Sequence, residues 1–434
     1  MDTVLGGALG GGMSRNNGRF TAVEEDKAMG CEMGIYTAMD KSLLIPNRNI
    51  EFPGHSHMFT YDSAKLEPLM EDVVKDAGVN LMLMNKVVEV ETSGNKIVSV
   101  TAESTPPKFP SARQPGKTAR TKIEGEAFVD ATGGAGGLGN CRKYGLGCSC
   151  CVYRCPTFGD RVSLAEKAGA KEIMALGGPN ATLKDGPFGR TWGGMMYEEH
   201  TIDQKLLKEI REKGALVYHP SKETVEKNRA FWSKIIKEKS CQQYSHTDES
   251  GKEEYVENII MIYHTGSILV LVPYWPGGIQ QIRQTIPEFG RVNMHEARFA
   301  GIVPTRWMAI CPTESKNTLR AESVANLFVA GEKAGFVGHD DAVVTGHLAG
   351  HNAARTAMGK KLLEVPGSIA IGVSLNYVRN AVKNKDGFKE VVTYSGLGLF
   401  EKMKQLGLHT TDTSQIKERV KKAGLAEIYP KSIS

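Results

Sequence analysis

A strand, a glycine turn and a helix follow one another between residues 327 and 355, and this order constrains the fold more than any other feature. Leu327–Ala330 is apolar and predicts a short buried strand. Gly331 predicts a tight turn, and a looser glycine loop runs on to Gly338. Asp340 is placed to cap the helix that follows. Together these elements predict a place where backbone N–H groups meet negative or polar ligand groups.

The same helix carries a row of small residues at four-residue spacing, at Ala342, Gly346 and Gly350. Such a row lets another backbone or a flat ligand approach closely. A tightly packed strand–turn–helix without a ligand is the alternative interpretation, because glycine-rich turns open many helices.

A second glycine turn follows a second apolar strand far earlier in the chain. Residues 126–134 read Glu-Ala-Phe-Val-Asp-Ala-Thr-Gly-Gly, which predicts a buried strand that enters a glycine turn. Gly134–Gly139 formally matches the G-x-G-x-x-G pattern. The residues after it have no apolar period, so we do not interpret it as a nicotinamide-binding fingerprint. We expect the bends at 131–134 and 330–338 to converge around a single dinucleotide.

These motifs carry a resemblance to known flavoproteins. Residues 327–355 are similar to the C-terminal flavin-binding segment of the glucose-inhibited division protein A family and of the folate-dependent tRNA uridine methyltransferases. The turn at Thr132 resembles the bend that passes beside the FAD pyrophosphate in such proteins. The resemblance implies FAD as the cofactor, with contacts from Gly11, Gly12, Arg15, Asn16, Val87, Thr132, Gly133, Gly134, Gly331, Glu332, Gly338, Asp341, Ala342 and Gly346.

The resemblance also implies a fold class. We predict an α/β protein with a Rossmann-like FAD/NAD(P)-binding domain of the glutathione-reductase type, an inserted α+β domain and a helical C-terminal tail. The predicted divisions are 1–155 and 317–359 for the two parts of the FAD domain, 156–316 for the inserted substrate domain, and 360–434 for the tail.

The start of the chain differs from the expected pattern. FAD proteins of this type open with a strand, a G-x-G-x-x-G turn and a helix, and nothing of that kind precedes Gly6. We therefore expect the first part of the FAD domain to be incomplete by about 35 residues, roughly one βαβ unit. A fragment, a partner that supplies the unit, and a degenerate site are the three explanations.

Five of the eight cysteines lie within fifteen positions, at Cys141, Cys148, Cys150, Cys151 and Cys155. The spacing resembles the end of a ferredoxin cysteine run, although Gly145 stands where that run has its first cysteine. Three interpretations stay open: structural thiols, a redox pair near the flavin, and an iron–sulfur or zinc site on Cys141, Cys148, Cys151 and Cys155.

Histidines offer further chemistry around the predicted helix. His339 precedes it, close to the expected flavin ring, where it could steady a reduced flavin or transfer protons. With Cys151 and Cys155 it completes our set of catalytic candidates. His347 and His351 have a spacing that can bind metal, but no third ligand accompanies them in the sequence, which favours a packing role.

Local patterns predict the remaining elements. We expect helices over 21–43, 62–77, 163–175, 202–213 and 222–239, and tail helices over 375–383, 397–406 and 414–423 with Thr411 and Thr413 as caps. We expect a buried strand over 79–84, a hairpin of 86–91 with 96–101, strands over 254–264 and 267–274, and a solvated basic loop within 103–124 that could alternatively contact a polyanion.

Composition narrows the class of protein. The 434 residues carry a formal net charge of +5, which permits a polyanionic partner without requiring one. No apolar run reaches the length of a membrane span, and the N-terminus lacks the pattern of a secretory signal. We expect a cytoplasmic protein without a membrane partner, and leave a homodimer open.

Three functions agree with these observations. The first is a FAD-dependent oxidoreductase that transfers hydride or electrons through flavin N5. Its partner in the transfer is an unidentified small-molecule substrate or an electron-transfer partner. The second is a flavoprotein that modifies the wobble uridine of tRNA. The third is a fragment or partner-dependent subunit that cannot bind FAD alone.

Overall fold

A computed structural model describes most of the chain. The described residues are 14–15, 17–32, 34–42, 50–52, 55–60, 63–83, 85–104, 118–133, 162–177, 191–213, 215–218, 245–247, 253–255, 259–263, 267–272, 283, 286–296, 306–336, 339–383 and 397–431. Among them, no helix combines the length and the apolar character needed to cross a bilayer.

The described helices concentrate at the two ends of the chain. They are α1 (Asn17–Asp26), α2 (Ile35–Lys41), α3 (Ser63–Asp76), α4 (Leu164–Lys167), α5 (Gln204–Lys213), α6 (His339–Ala357), α7 (Ala370–Lys383), α8 (Leu397–Gln405), α9 (Thr413–Lys422) and α10 (Ile428–Lys431). A π-helical turn, Lys27–Cys31, continues α1.

The strands form several small sheets. They are β1 (Ser14–Arg15), β2 (Ile50–Phe52), β3 (His55–Thr60), β4 (Asn85–Ser93), β5 (Lys96–Ser104), β6 (Arg120–Glu124), β7 (Phe128–Asp130), β8 (Ile173–Gly177), β9 (Thr191–Tyr197), β10 (Ala215–Tyr218), β11 (Ser245–Thr247), β12 (Glu253–Tyr255), β13 (Ile259–Tyr263), β14 (Ser267–Val272), β15 (Met294–Glu296), β16 (Arg306–Ile310) and β17 (Leu327–Val329). Their order is β1-β3-β2, β4-β5-β6, β10-β13-β14-β9-β15, β11-β12, β16-β8 and β17-β7.

Two hydrophobic cores are separated along the chain. The first joins α1, α3, β5, β17, α6 and the C-terminal helices, and Leu327, Phe328 and Val329 lie at its centre without exposed surface. The second lies under the five-stranded sheet and includes Tyr197, Ile210 and Phe289. Leu164, Ala165 and Ile310 pack in the first core, although they fall within the segment 156–316 that we predict as an inserted domain.

A buried carboxylate connects the start of the chain to its C-terminal helices. Glu25 accepts hydrogen bonds from the backbone N–H groups of Ala370 and Ile371, at 2.8 and 2.9 Å, and from Arg419 Nη1 at 3.1 Å. Burial raises the pKa of Glu25 to about 7, against the opposing effect of these donors. The first N–H groups of a helix have no partner within the helix, so Glu25 supplies the cap of α7 from a distant segment.

Several predicted elements are confirmed. The hairpin is present as β4 and β5, and the predicted helix 202–213 corresponds to α5. The tail helices correspond to α7, α8 and α9. The cap of α9 differs from the prediction, because Asp412, between Thr411 and Thr413, accepts hydrogen bonds from Ser414 N and Gln415 N.

Other predictions are wrong for local reasons. The helix expected over 21–43 is interrupted, since Gly30 and Gly34 adopt φ values of 107° and 82°. Residues 79–83 form no strand, and Val79 is 55% exposed. The helix expected over 163–175 ends at Lys167, because residues from Ile173 onward pair with β16 instead. The helix predicted over 222–239 lies outside the described residues.

The basic segment before β7 is partly a strand. Residues 120–124 form β6, which extends the hairpin. Arg120 contacts Glu89 and Glu103, both at 2.9 Å, and Lys122 contacts Glu91 at 2.6 Å. These two cations are therefore paired with carboxylates on an exposed face of the sheet. Residues 105–117, which carry the other cations of the segment, lie outside the described residues, so the polyanion contact stays an alternative.

Candidate functional site

The structure brings the two predicted glycine turns together. Strands β7 and β17 pair in parallel, with Val329 opposite Asp130, although two hundred residues separate them. The N–H of Ala330 donates to the carbonyl of Asp130 at 3.1 Å, so both turns leave the same edge of the sheet. Gly133 and Gly331 adopt φ values of 80° and 58°, a region that favours glycine. Ligands bind at such strand ends in parallel sheets.

Asp130 fixes the first turn. Its Oδ1 accepts hydrogen bonds from the backbone N–H and hydroxyl of Thr132, at 2.9 and 2.6 Å. Its Oδ2 accepts from the backbone N–H of Ala165 at 2.8 Å, near the start of α4. Asp130 is fully buried, whereas Thr132 is exposed. The Asp130 side chain therefore holds the turn from the buried side. It does not cover the outer surface of the turn.

A buried ion pair fixes the second turn. Lys333 lies in the turn after β17 and has no exposed surface. Its Nζ donates to Glu172 Oε1 at 2.6 Å and to Ser163 Oγ at 3.1 Å. Ser163 is also hydrogen-bonded to Glu172 and lies 3.4 Å from Asp130 Oδ2. One network, Asp130–Ser163–Glu172–Lys333, therefore connects both turns beneath the strand edge.

Cys311 lies beside this network, yet it is a poor nucleophile. Its backbone N–H donates to the carbonyl of Lys333 at 2.9 Å. Burial raises the pKa of Cys311 to about 12, and the charges of Asp130 and Glu172 add to that effect while Lys333 opposes it. The thiol remains protonated at neutral pH, and only a thiolate is reactive.

The start of α6 packs closely on the second turn. Gly331 N donates to Thr345 Oγ1 at 2.8 Å, and that hydroxyl donates to the carbonyl of Asp341 at 2.6 Å. A Cβ at Gly331 would stand 3.2 Å from Ala342 Cβ. Asp340 lies in the first turn of α6, which begins at His339, so the predicted N-cap position is wrong by at least one residue.

The row of small residues on α6 is open. Ala342 and Gly350 are exposed and Gly346 is half-buried. Among the described residues, no atom within 4 Å would meet a Cβ added at Gly346 or Gly350. Within the described part of the chain, the row therefore does not serve a close helix contact, and its surface remains accessible to a ligand.

Some of the remaining predicted residues lie in the described part of the chain, and the others do not. Glu332 is half-buried in the turn after β17, and Val87 is half-buried in β4 opposite Ala102. Arg15 lies in β1, where its backbone pairs with that of Phe59 in β3. The side chain of His339 is not among those described. The following residues lie outside the described part of the chain: Gly11, Gly12, Asn16, Gly134, Gly338, Cys141, Cys148, Cys151 and Cys155.

His347 and His351, on α6, make separate contacts and do not form a pair. His347 Nδ1 lies 2.6 Å from Asp26 Oδ2. His351 packs the edge of its ring against Tyr429, with ring centroids 4.9 Å apart. Burial lowers the pKa of His351 to about 4, and the charge of Arg355 adds to this shift.

We expect His351 to make stability fall in mild acid. Its pKa in the folded state, about 4, lies below the ordinary value of 6.5, so the unfolded chain binds its proton first as pH falls. This contribution is complete above pH 6.5 and is lost as pH falls towards 4. Chemical denaturation should show that it lowers the unfolding free energy by about 2 kcal/mol between pH 7 and pH 4.5.

A non-titrating variant isolates this effect. His351→Phe retains a ring beside Tyr429 but cannot bind the proton. Between pH 7 and pH 4.5, the unfolding free energy of this variant should fall by about 2 kcal/mol less than that of the unsubstituted chain. The exposed His200 is the matched position, and His200→Phe should leave the slope unchanged. Equal slopes for His351→Phe and the unsubstituted chain would contradict the assignment.

Comparison with known proteins identifies relatives of this region. Residues 277–361 match the family model of glucose inhibited division protein A. The chain is 30% identical over 112 residues to the methylenetetrahydrofolate–tRNA-(uracil-5-)-methyltransferase TrmFO of Desulfotalea psychrophila. This match covers 24% of the chain and 25% of that enzyme. It is 37% identical over 82 residues to the tRNA uridine 5-carboxymethylaminomethyl modification enzyme MnmG of Bacillus subtilis. That match covers 19% of the chain and 12% of the enzyme.

Solved structures extend the similarity to the whole fold. Aquifex aeolicus GidA in its form I crystal aligns over 94% of this chain and 71% of that protein, with a TM-score of 0.53 and 15% identity. The form II crystal gives a TM-score of 0.50 at 16% identity, over 94% of this chain and 68% of that protein. The predicted fold class and the resemblance to the GidA and TrmFO flavoproteins are confirmed.

Sequence reasoning missed the residues that hold the turns. Asp130 and Lys333 stand within the predicted turn motifs, but Ser163 and Glu172 come from a segment that we predict as one helix. A charged residue inside a glycine turn reads as solvated. The available signal was an acidic residue at a strand end: Asp130 ends β7, and Glu172 immediately precedes β8. Only the tertiary contacts show that Ser163 and Lys333 join these two acids.

Proposed function

We propose that this chain is a FAD-dependent enzyme that acts on uridine in tRNA. The observation that carries the proposal is the extent of the GidA match, residues 277–361, which includes β17, the turn at Gly331 and α6. Both groups of curated relatives are named as enzymes that modify tRNA uridine. The general oxidoreductase of unidentified substrate is the second candidate, and it rests on the fold alone.

The described residues fit one part of FAD better than another. The open small-residue face of α6 and the tight turn at Gly331 suit a flat ring that lies against the backbone. Asp340 and Asp341 are buried in the first turn of α6, where their carboxylates disfavour an anionic phosphate. The flavin ring of FAD therefore fits beside α6. The turn at Thr132, on the neighbouring strand end, fits nearer the phosphates of FAD.

Each residue of the network then has a positioning task. When bound, FAD supplies hydride transfer at its N5 atom. Asp130 orients the Thr132 hydroxyl and backbone, and Lys333 holds the second turn against Glu172. Neither residue exposes its charge, so they act on the cofactor through the shape of the two turns.

Flavin retention tests the first half of the proposal. The purified chain should show flavin absorbance at about 450 nm and release FAD on denaturation. Gly346→Leu should lower bound FAD at least about tenfold, because the new side chain occupies the open face of α6 while a helical leucine is tolerated. The matched variant is Gly350→Leu, one turn further from the helix start, which should retain FAD.

Nucleoside analysis tests the second half. Purified protein, with a reductant and a one-carbon donor, is incubated with unmodified tRNA, and the digested nucleosides are analysed by mass spectrometry. A change of mass on uridine, lost in Gly346→Leu, supports the proposal. Binding of FAD without any change to uridine, and without tRNA binding that weakens steeply with salt, would favour the general oxidoreductase. A colourless, folded chain that cannot be loaded with FAD would contradict both.

A further inference from the structure

Three side chains with metal-binding atoms meet between the end of α1 and α6. They are Asp26 at the end of α1, Cys31 at the end of the π-helical turn, and His347 on α6. One ligand atom from each, a carboxylate oxygen, a thiol sulfur and an imidazole nitrogen, lies within 4.8 Å of the others. None of the three takes part in the network of Asp130 and Lys333.

The local backbone explains how Asp26 and Cys31 come to the same side. The chain bends sharply between Asp26 and Cys31, because Gly30 leaves the helical range of backbone angles, and this bend returns Cys31 to the side of Asp26. Gly30 adopts a φ of 107° to make the turn, and a Cβ there would stand 2.4 Å from Pro430 Cδ. The turn is therefore held firmly by the C-terminal segment.

A second layer of side chains orients the carboxylate. Tyr36 OH donates to Asp26 Oδ2 at 2.9 Å, and Tyr429 OH donates to Asp26 Oδ1 at 3.2 Å. The rings of Tyr36 and His347 pack edge to face, with centroids 5.4 Å apart. Metal ligands are usually held by outer hydrogen bonds of this kind.

The electrostatic field at this place favours a cation. Asp26 is fully buried. Its carboxylate oxygen lies 2.6 Å from His347 Nδ1 and close to the Cys31 sulfur, so the cluster is built around a buried carboxylate that a bound cation would neutralise.

We propose that Asp26, Cys31 and His347 bind one Zn²⁺ ion, with water in the fourth position. Zn²⁺ prefers this mixture of sulfur, nitrogen and oxygen ligands, in tetrahedral geometry. Metal–ligand lengths of about 2.0–2.3 Å require ligand atoms about 3.3–3.6 Å apart, so the Asp26–His347 contact opens and the sulfur moves inward. Binding replaces the thiol proton of Cys31 with the metal, and that proton is released to solvent.

The site would join α1 to α6, the helix whose start lies at the proposed flavin face. His347 is 22% exposed at its side chain, which provides a path for the ion. Without the ion, the same atoms form the hydrogen bond between Asp26 and His347, so the test must separate these two states.

Cobalt binding tests the proposal directly. The full chain is freed of metal with a chelator and titrated with CoCl₂, then with ZnCl₂, in a background where Cys141, Cys148, Cys150, Cys151 and Cys155 are replaced by serine. We expect one Co²⁺ per chain, a thiolate-to-cobalt band in the near ultraviolet, and displacement of that band by Zn²⁺. Cys31→Ser should abolish the band, and His347→Gln, which retains a donor to Asp26, should weaken binding at least about tenfold.

The buried Cys311 provides the matched control, because Cys311→Ser changes a thiol outside the site. If the serine background does not fold, metal is counted in the unsubstituted chain, where Cys31→Ser should remove one ion. No cobalt–thiolate band, an unchanged metal count in Cys31→Ser, or an equal effect of Cys311→Ser would overturn the proposal.

Discussion

Replacing Lys333 with methionine is expected to lower the free energy of unfolding by about 3–5 kcal/mol. The substitution retains the length of the side chain but leaves the Glu172 carboxylate and the Ser163 hydroxyl without the ammonium group. Lys333 has no exposed surface and the Glu172 side chain is 9% exposed, so water cannot replace the lost partner. Chemical denaturation of the full chain measures the change.

Two further variants make this prediction specific. Adding Glu172→Gln should recover about 1–3 kcal/mol, because the uncompensated charge is removed with its partner. Lys316, which contacts Glu364 at 3.5 Å with 62% of its side chain exposed, is the control position. Lys316→Met should cost less than about 1 kcal/mol. A loss of that small size in Lys333→Met would show that the pair is not buried.

Replacing Gly331 with valine is expected to lower the free energy of unfolding by about 2–4 kcal/mol and to abolish flavin retention. The φ of 58° costs a branched residue about 1–2 kcal/mol. The added Cβ stands 3.2 Å from Ala342 Cβ, and further atoms of valine would push the turn away from α6. Denaturation and flavin absorbance measure the two effects on one preparation.

Gly359 separates backbone strain from crowding. It has a similar φ of 66°, and no atom of the described residues within 4 Å would meet its Cβ. Gly359→Val should therefore cost only about 1–2 kcal/mol and leave flavin retention intact. Restoring space in the double variant Gly331→Val, Ala342→Gly should recover part of the loss. Equal costs for the valine variants at 331 and 359 would argue against a tight contact between the turn and α6.

The sequence predicted the elements that carry a local signature. The strand at Leu327–Val329, the turn at Gly331 and α6 follow from apolar runs, glycines and helical spacing within thirty residues. The β4–β5 hairpin follows from the turn residues between its strands. The meeting of the two glycine turns was also predicted, because both sequences resemble segments that surround one cofactor.

Predictions failed where distant contacts decide the structure. Residues from Ile173 onward join β16, more than a hundred residues away, and a helical pattern in the sequence cannot show that partner. Val79 begins an apolar run, but Val79 is exposed and residues 81–83 are only half-buried after α3. Lys333 appears as a surface residue in the sequence, because its burial depends on Glu172. The Asp26 cluster joins α1 to α6 across more than three hundred residues, and no spacing rule reports it.

The parallel register of β7 and β17 has a consequence for synthesis on the ribosome. Phe128 and Leu327 lie opposite each other in the pair, so both must have been synthesised before it can form. At about 5–20 residues per second, the ribosome needs roughly 10–40 s to travel between them. During that interval β7 lacks the strand that pairs with it, and chaperone capture competes with aggregation at the exposed edge. The two glycine turns can consequently come together only late in synthesis, and any ligand that needs both of them must wait until then.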